Sequence, residues 1–379
     1  MPLQTWNYPT KIVFGVGATG QLADEAKRLS VGRALLVSDA GVVAVGLADR
    51  VSSALASAGV EVATFSGVSS NPTEDEVEAG ARAFTAHRAD GVVALGGGSP
   101  IDAAKLIGVR ARSNRPWEEL DDAAGGGVHV PGDLPPVLAL PTTSGTGSEV
   151  GRAAVLTVNS SGRKTVVFHP SMLPRVALLD PELTRSLPPT VTAATGFDAL
   201  THCVEAYFAI GDHPMADAIA VAGVDLVAKH LSAAIEDGND LDARGGMMKA
   251  AMMGAVAFQK GLGACHSMAH PLSSEHGLHH GLANALCLPA VVSYNESEIF
   301  ERVLHISLLL GGDAEPGACA TQLRALRRQW GLPASLREAG VEKPDVQRLA
   351  KLAMDDACHR DNPRTVTLAE MQNLYQACM

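Results

Sequence analysis

The stretch "DGVVALGGGSPIDAAKLIG" (residues 90–108) joins an apolar run to three glycines and then to a segment rich in alanine, leucine and isoleucine. A strand that lacks alternating polar residues is typical of a sheet covered on both faces, as parallel sheets are. The glycines permit a tight turn, and the segment after them has the apolar spacing of a helix. The stretch therefore predicts a strand, a turn and a helix of a parallel α/β fold.

The same alternation extends through the first half of the chain. Amphipathic helical segments separate the strand-like runs, which is the pattern of a sheet with helices on both faces. Besides the opening stretch, the strand-like runs are "KIVFG" (11–15), "RALLVSD" (33–39), "VEVATFSGV" (60–68), "PVLALPTT" (136–143), "RAAVLTV" (152–158), "KTVVFHP" (164–170) and "RVALLD" (175–180). We predict an N-terminal Rossmann-like α/β domain with a parallel sheet.

The second half of the chain has a different pattern. Beyond Asp180, a proline-punctuated stretch leads into long helical segments such as "DAIAVAGVDLVAKHLSAAI" (217–235). The length of 379 residues also exceeds the roughly 250–300 at which a single core stops growing. We predict two domains: residues 1–187 form the α/β domain, and residues 188–379 form an all-α C-terminal domain.

Composition excludes several classes of partner. The formal net charge is −11 and the basic residues are scattered, which argues against nucleic acid. No uninterrupted apolar run reaches the roughly 18 residues of a membrane helix, and "MPLQTWNYPTKIVFG" (1–15) has no secretory-leader pattern. The six cysteines show no CxxC spacing, as is typical of reduced thiols. We expect a cytoplasmic protein without a nucleic-acid or membrane partner.

Glycine-rich loops in the first half point to a phosphate-containing ligand. "GGGSP" (96–100) opens a helix, and "LPTTSGTGSE" (140–149) follows another apolar strand. Backbone N–H groups at such helix starts bind anions, and loops at the carboxyl ends of parallel strands bind nucleotides. "GVGATG" (15–20) matches the G-x-G-x-x-G pattern, with Asp39 at the end of the next strand, but a simple tight turn is the favoured interpretation.

The second half contains a cluster of histidines in "GLGACHSMAHPLSSEHGLHHG" (261–281). His266 and His270 are four residues apart, so they share one face of a helix, and Asp198 and His202 have the same relation. Three imidazoles and one carboxylate suit Fe²⁺, Zn²⁺ or Co²⁺ better than Mg²⁺ or Ca²⁺. The alternative is a set of solvated polar residues.

Taken together, these stretches resemble the iron-containing (group III) alcohol dehydrogenase family over essentially the whole chain. The motifs are "NPT" (71–73), "GGGSPIDAAK" (96–105), "LPTTSGTGSE" (140–149), "DPELTRSLPP" (180–189), "GFDALTHCVEAY" (196–207), "GLGACHSMAHPL" (261–272), "HHGLANALCLP" (279–289) and "NPR" (362–364). The resemblance implies a metal-dependent oxidoreductase that transfers a hydride between an alcohol, or a hydroxy acid, and NAD. It also implies a homodimer or a larger homo-oligomer.

The resemblance also assigns residues by position. It implies that Asp198, His202, His266 and His280 bind Fe²⁺, or Zn²⁺ or another divalent ion, and that His270 handles the proton. Asp39 implies a preference for NAD over NADP, and "GVGATG" becomes a structural turn. The implied cofactor-binding residues are Asp39, Asn71, Gly97, Gly98, Ser99, Asp102, Thr142, Thr143, Ser144, Thr146, Lys164 and Leu183.

Two departures from the family pattern leave the substrate open. Gly151 stands where many members have threonine, and "AFQKGLG" (257–263) replaces a longer asparagine-containing form. The candidate substrate residues are Arg152, Phe258, Lys260 and Cys358. Arg152 and Lys260 would favour an acidic aldehyde or hydroxy acid, unless they are solvated surface cations.

Three other functions stay open from the sequence. A reductase similar to maleylacetate reductase shares the same motifs. A zinc enzyme similar to glycerol dehydrogenase or dehydroquinate synthase fits the Asp-His-His-His pattern less well. A non-catalytic metal-binding protein would not need the two glycine-rich loops.

Overall fold

The computed structural model describes residue 8 and residues 10–379. Residues 1–7 and 9, which include the beginning of the predicted α/β domain and of the stretch tested for a leader, lie outside the described residues. The chain divides into two compact units. The α/β unit comprises Tyr8–Thr143 and Gly147–Ser186, and the helical unit contains Ser144–Thr146 and Leu187–Met379.

The α/β unit is built on a six-stranded parallel sheet with the strand order β1-β8-β5-β4-β2-β3, and β6 and β7 form a separate antiparallel pair. The strands are β1 (Lys11–Phe14), β2 (Arg33–Val37), β3 (Glu61–Phe65), β4 (Gly91–Gly96), β5 (Val137–Pro141), β6 (Ala153–Thr157), β7 (Lys164–Phe168) and β8 (Val176–Leu179). The predicted parallel sheet is confirmed. The β6–β7 pair is antiparallel because the two strands follow one another through a short turn.

Both faces of this sheet are packed. In β2, Leu35 and Val37 enter one apolar cluster, whereas Ala34 and Leu36 enter another. The helices of the unit are α1 (Leu22–Arg28), α2 (Ala40–Ala44), α3 (Leu47–Ser57), α4 (Glu74–His87) and α5 (Gly98–Arg110), with 3₁₀ helices at Ala18–Gln21, Trp117–Leu120, Asp122–Ala124, Gly126–His129, Ser148–Val150, Pro170–Met172 and Pro181–Thr184. Burial on both faces explains why β4 and β5 carry no charged residue.

The described part of the helical unit contains helices and no strand. The helices are α6 (Pro189–Phe208), α7 (Pro214–Glu236), α8 (Leu241–Ala257), α9 (Ala264–His276), α10 (His280–Asn295), α11 (Phe300–Leu309), α12 (Ala318–Gln329), α13 (Val346–Asp355) and α14 (Leu368–Ala377), with 3₁₀ helices at Phe258–Lys260 and Cys358–Asp361. α6 is buried along nearly its whole length because α7, α8 and α10 pack around it. The predicted all-α character of the C-terminal half is confirmed.

Two glycines allow the helices next to α6 to come close to it. A Cβ atom at Gly281 would lie 2.1 Å from the carbonyl oxygen of Ala194, and one at Gly254 would lie 2.9 Å from the Cβ of His202. Any larger residue at either position would push α10 or α8 away. The absence of a side chain at these glycines therefore lets α10 and α8 come close enough for their residues to contact the polar side chains of α6.

Among the described helices, α7 is the one that is long and apolar enough to cross a membrane by length and composition, with a mean hydropathy of 1.6. Its apolar residues Val224, Val227 and Leu231 are fully buried within the helical unit. A core helix of a globular protein passes the same test. The six cysteines are free thiols, and five of them are buried.

Candidate metal centre and cofactor loops

Helix α6 carries three ionisable side chains into the interior of the helical unit. Asp198, His202 and Glu205 are each less than 5% exposed, although this helix is otherwise mostly apolar. The four-residue step from Asp198 to His202 places both on one face of α6, and Glu205 follows one turn later. Buried ionisable side chains are costly unless they have partners, so this face must meet other polar groups.

Two histidines from other helices meet Asp198. The ligand atoms of Asp198, His266 and His280 all lie within 4.8 Å of one another. His266 comes from the first turns of α9, and His280 is the first residue of α10. The chain reverses between them at Gly277, which has a left-handed backbone conformation (φ 66°). The structure therefore brings the two imidazoles together with a carboxylate that lies 68 residues before the first of them in the sequence.

His202 lies directly beside this group. Its ring stacks on that of His266 with the ring centroids 4.7 Å apart, and Phe258 packs against it at 5.2 Å. The Nδ1 atom of His202 is buried and has no hydrogen-bond partner among the described residues. Burial lowers the pKa of His202 to about 4, so the imidazole is neutral at neutral pH. A neutral buried imidazole with one unpartnered ring nitrogen fits a metal ligand.

Glu205 supports His266 from behind. Its carboxylate accepts a hydrogen bond from His266 Nδ1 at 2.6 Å and from the backbone N–H of Cys265 at 2.7 Å. Because Nδ1 donates to Glu205, the lone pair of His266 lies on Nε2 at the other side of the ring, which is the usual arrangement behind a metal-binding histidine. Glu205 was not among the residues predicted from the sequence. The available signal was a glutamate seven residues after Asp198 on the same helical face.

Asn284 lies at the centre of the same group. Its Nδ2 donates to Asp198 Oδ1 at 2.7 Å and lies 3.4 Å from His266 Nε2 and 3.3 Å from His280 Nε2. The side chain is fully buried and follows His280 by one helical turn. Asn284 therefore orients the Asp198 carboxylate, a role that the sequence analysis did not predict.

The side chains of this group shift one another's pKa values. Burial alone raises the pKa of Asp198, but attraction by His202, His280 and His266 outweighs it, so the pKa lies below its ordinary value. Burial lowers the pKa of His280 well below its ordinary value. Burial also acts to lower the pKa of His266, but the hydrogen bond to Glu205 reverses the shift. The donor set fits a divalent ion such as Fe²⁺, Zn²⁺ or Co²⁺.

His270 lies next to this group without belonging to it. Its ring stacks on that of His280 with the centroids 5.3 Å apart, and its Nδ1 is 2.8 Å from Asp356 Oδ2. Cys358, a candidate substrate residue, lies close enough that its Sγ is within 4.8 Å of ligand atoms of His270 and Asp356. The structure therefore brings His270 and Cys358 together through Asp356, which the sequence analysis did not single out.

In the α/β unit, the loop between β4 and α5 has the geometry of an anion site. Gly97 and Gly98 lie where β4 ends and α5 begins, and a Cβ atom at Gly97 would meet the Thr143 side chain at 3.3 Å. Ser99 donates a hydrogen bond to the carbonyl of Ser70 at 2.8 Å. The free N–H groups at the start of this 13-residue helix can bind a phosphate.

Asp39 lies beside this loop because β2 and β4 are neighbours. Its Oδ1 accepts from the N–H of Val42 at 2.9 Å and so caps α2. Its Oδ2 faces Gly96, where an added Cβ atom would lie 3.3 Å away. Thr142 is buried, and its N–H donates to the Gly96 carbonyl at 2.9 Å.

The other predicted cofactor residues have varied surroundings. Asp102 accepts from the Ser148 hydroxyl and, at 3.0 Å, from the N–H of Val155, so its carboxylate ties α5 to β6. Leu183 is buried in the core of the α/β unit. Asn71 and Thr143 are half-buried, as is Lys164 at the start of β7. In the helical unit, Ser144 is buried and Thr146 is exposed.

The backbone N–H groups of the turn "GVGATG" bind a carboxylate of the protein itself. The N–H groups of Gly17 and Thr19 donate to the two carboxylate oxygens of Asp180 at 3.1 and 3.0 Å. Because the side chain of Asp180 is fully buried within the same unit, these N–H groups are already used. The contacts support the interpretation of this motif as a structural turn.

The two cations proposed for the substrate differ. The ammonium of Lys260 is buried and bonds to Asp217 Oδ1 at 2.5 Å and to the carbonyl of Tyr207 at 3.1 Å, which favours a structural role. Arg152 is half-buried with its guanidinium 5.1 Å from the centre of the Phe168 ring. Arg152 forms no ion pair with any described residue, so its charge stays available.

Comparisons with known proteins agree with these two halves. Residues 9–181 match the family model "iron-containing alcohol dehydrogenase", and residues 192–379 match the model of its C-terminal family. The chain is 39% identical to 4-hydroxybutyrate dehydrogenase of Cupriavidus necator over 98% of this chain and 99% of that protein. It is 36% identical to the NAD-dependent methanol dehydrogenase of Bacillus methanolicus over 97% and 98% of the two chains.

A solved structure of 1,3-propanediol oxidoreductase superimposes on this chain with a TM-score of 0.95 and 34% identity, covering 99% of this chain and 100% of the other. The matches span both units and the full length of the relatives. The chain therefore belongs to the iron-containing alcohol dehydrogenase family and is an NAD-dependent alcohol dehydrogenase or aldehyde reductase.

Proposed function

We propose that this enzyme interconverts a primary alcohol and its aldehyde with NAD at a divalent-metal site formed by Asp198, His202, His266 and His280. The observation that carries the proposal is the convergence of Asp198, His266 and His280 within 4.8 Å, beside the unpartnered Nδ1 of His202. Fe²⁺ is the proposed ion, and the same donors suit Zn²⁺ or Co²⁺. When bound, such an ion supplies a Lewis acid that polarises the alcohol oxygen.

The residues around these ligands have supporting roles. Glu205 holds His266 in the tautomer whose Nε2 is free to bind a metal, and Asn284 orients the Asp198 carboxylate. Phe258 covers the ring of His202 and limits access of water to it. These contacts keep the ligand side chains in place, which lowers the cost of assembling the site.

His270 is the proposed proton-handling residue. In alcohol oxidation the substrate loses a hydride from carbon to NAD and a proton from oxygen. Asp356 binds Nδ1 of His270 at 2.8 Å and leaves Nε2 able to accept that proton. The side chain of His270 is 35% exposed, so the proton has a route from the ring to solvent.

The glycine loop is the proposed site of the NAD pyrophosphate. Gly97, Gly98 and Ser99 surround the start of α5, where N–H groups favour negative charge. Asp39 lies beside Gly96 and would accept hydrogen bonds from a ribose, whereas it would repel the 2′-phosphate of NADP. We propose the other cofactor residues of the sequence analysis on the family resemblance alone.

Among alcohols, we propose an ω-hydroxy acid as the preferred class. The support is the half-buried, unpaired guanidinium of Arg152, together with the similarity to a 4-hydroxybutyrate dehydrogenase. A guanidinium that is partly removed from water binds a carboxylate more strongly than an exposed one. Comparing 4-hydroxybutyrate with 1-butanol, which has the same carbon chain without the carboxylate, tests the preference.

The decisive experiment combines metal analysis with an activity screen. The protein is purified without oxygen and its metal content is measured. NADH formation is then followed with primary alcohols and hydroxy acids, and NADH consumption is followed with aldehydes and maleylacetate. One metal ion per chain and NADH formation are expected. Metal without any turnover of alcohols, aldehydes or maleylacetate would favour a non-catalytic metal-binding protein. Turnover of maleylacetate alone would favour a reductase similar to maleylacetate reductase.

We also propose that the protein is cytoplasmic and forms a homodimer or a larger homo-oligomer. Light scattering tests the oligomeric state.

A further inference from the structure

A second group of metal-binding side chains lies in the helical unit. The ligand atoms of His270, Asp356 and Cys358 all lie within 4.8 Å of one another. His270 belongs to α9, Asp356 directly follows α13, and Cys358 begins the 3₁₀ helix Cys358–Asp361. None of these three residues is among the proposed ligands of the first site.

The carboxylate of this group is held in one orientation. Asp356 Oδ1 accepts from the Ser267 hydroxyl at 2.7 Å and from the N–H of Cys358 at 2.9 Å, whereas Oδ2 faces His270 Nδ1 at 2.8 Å. Ser267 in turn accepts from the N–H of His359 at 2.8 Å. Hydrogen-bonded supports of this kind orient carboxylates that bind metals. They also hold the turn that carries Cys358 next to α9.

The group is open enough to take an ion from solvent. The side chains of His270 and Asp356 are 35% and 22% exposed, and Cys358 is half-buried. A thiolate, an imidazole and a carboxylate form a three-ligand set that suits Zn²⁺ or Co²⁺, with a fourth position left for water. Partly exposed donors and a carboxylate held by hydrogen bonds meet two requirements of a metal site, namely a path for the ion and a supported ligand.

We propose that His270, Asp356 and Cys358 form an auxiliary binding site for Zn²⁺ or Co²⁺. Binding replaces the hydrogen bond between His270 and Asp356 with bonds from both residues to the ion. His270 binds the ion through Nδ1 as a neutral imidazole, so its ring proton moves from Nδ1 to Nε2 by exchange with solvent. The thiol proton of Cys358 is released to solvent, and no electron is transferred. An occupied auxiliary site engages His270, so excess metal inhibits the enzyme. This inhibition rests on the proposed function of His270, whereas the site itself does not.

Cobalt absorption tests the auxiliary site independently of activity. The proposed ligands of the first site contain no sulfur, so Co²⁺ bound there gives no thiolate-to-cobalt charge-transfer band in the near ultraviolet. We expect that band when the metal-loaded enzyme is titrated with further Co²⁺, and we expect Cys358→Ser to abolish it. Cys265→Ser is the matched control, because Cys265 neighbours His266 but has its Sγ directed at Asn284, and the band should persist.

Three results would overturn the proposal. They are no charge-transfer band in the parent protein, a band unchanged in Cys358→Ser, or a band lost in Cys265→Ser. Retention of the first equivalent of Co²⁺ by Cys358→Ser shows that this variant is folded.

Inhibition by Zn²⁺ gives a second measurement. Loss of a residue that only supports a ligand costs about 10–100-fold in metal affinity, so loss of the thiolate itself should raise the inhibitory Zn²⁺ concentration by at least about tenfold. Equal inhibition of the parent and Cys358→Ser counts against the site. If the enzyme oxidises no alcohol at all, the proposed function fails, but the charge-transfer band still decides whether the auxiliary site exists.

Discussion

The helical unit and the α/β unit present their functional atoms in different ways. In the helical unit, Asp198, His266 and His280 come from three helices, and only packing brings their ligand atoms together. In the α/β unit, the glycine loop is one continuous strand–turn–helix segment that offers backbone N–H groups. The metal site depends on particular side chains and on the residues that support them. The glycine loop depends on backbone N–H groups at the start of a helix. Substitutions should therefore affect the two regions through different measurements.

The largest effect is expected from Asp198→Asn, which removes the carboxylate of the proposed metal site. We expect loss of bound metal and a fall of about 10³-fold or more in kcat/KM, because a Lewis acid contributes several kcal/mol to the barrier. NAD affinity should stay unchanged if the two regions act separately. Metal content, NAD titration and NADH formation measure these effects. Asp225→Asn, in an exposed pair with Lys229, is the control. Full metal retention by Asp198→Asn would refute the assigned ligand.

Glu205→Gln tests how far the metal site depends on support from behind its ligands. We expect metal affinity to fall about 10–100-fold, because glutamine keeps the shape but no longer holds the His266 tautomer with a charge. Competition with a chelator measures this affinity. Asp356→Asn changes a carboxylate next to His270, which is not a proposed ligand of the first ion, so the affinity for that ion should stay unchanged. Equal weakening by both substitutions would show a general effect of charge rather than support of His266.

Gly97→Ala tests the glycine loop between β4 and α5. The added Cβ would meet Thr143 at 3.3 Å and crowd the start of α5. Overpacking costs about 1–3 kcal/mol, so the Kd for NAD should rise about 10–100-fold while metal content stays unchanged. Gly20→Ala in the "GVGATG" turn is the control, since no atom lies within 4 Å of its added Cβ. A larger loss of NAD binding from Gly20→Ala would move the pyrophosphate to the other loop.

Substitutions at Asp39 distinguish the effect of its negative charge on cofactor choice from its role as the cap of α2. We expect Asp39→Gly to reduce the preference for NAD over NADP by about tenfold, since a carboxylate repels a 2′-phosphate. Asp39→Asn should do the same while it keeps the cap on α2, which involves Val42. The ratio of kcat/KM for the two cofactors is the measurement. Equal use of NAD and NADP by the parent enzyme would contradict this role.

The smallest effect is expected from Arg152→Met. We expect kcat/KM for 4-hydroxybutyrate to fall by less than about tenfold, because an ion pair at a partly exposed position contributes about 1 kcal/mol or less. The value for 1-butanol should hardly change. Arg163→Met, at an exposed position of the same unit, serves as the control. A parallel decrease for both substrates would mean that Arg152 supports the fold through Phe168 instead.

Much of the fold could be predicted because it depends on local patterns. The apolar runs of β4 and β5 predict buried parallel strands, and the four-residue step from Asp198 to His202 predicts a shared helical face. The supports of the site were not predicted. Glu205 contacts His266 across 61 residues of sequence, and Asp198 contacts Asn284 across 86. Spacing within α6 puts Glu205 on the face of Asp198, but it does not identify the distant partner of either residue. Nor does spacing show that the ammonium of Lys260 forms an ion pair with Asp217.

By itself, the sequence determined the alternation of strands and helices, the glycine loop and the types of ligand available, because these follow from periodicity and residue chemistry over short distances. Tertiary structure alone decided which of the five clustered histidines meet Asp198, that Glu205 and Asn284 hold them, and that Cys358 joins His270 and Asp356. The physical reason is that hydrogen bonds and metal ligation act over a few ångströms. Only the packing of α6, α9, α10 and the segment after α13 brings these atoms so close.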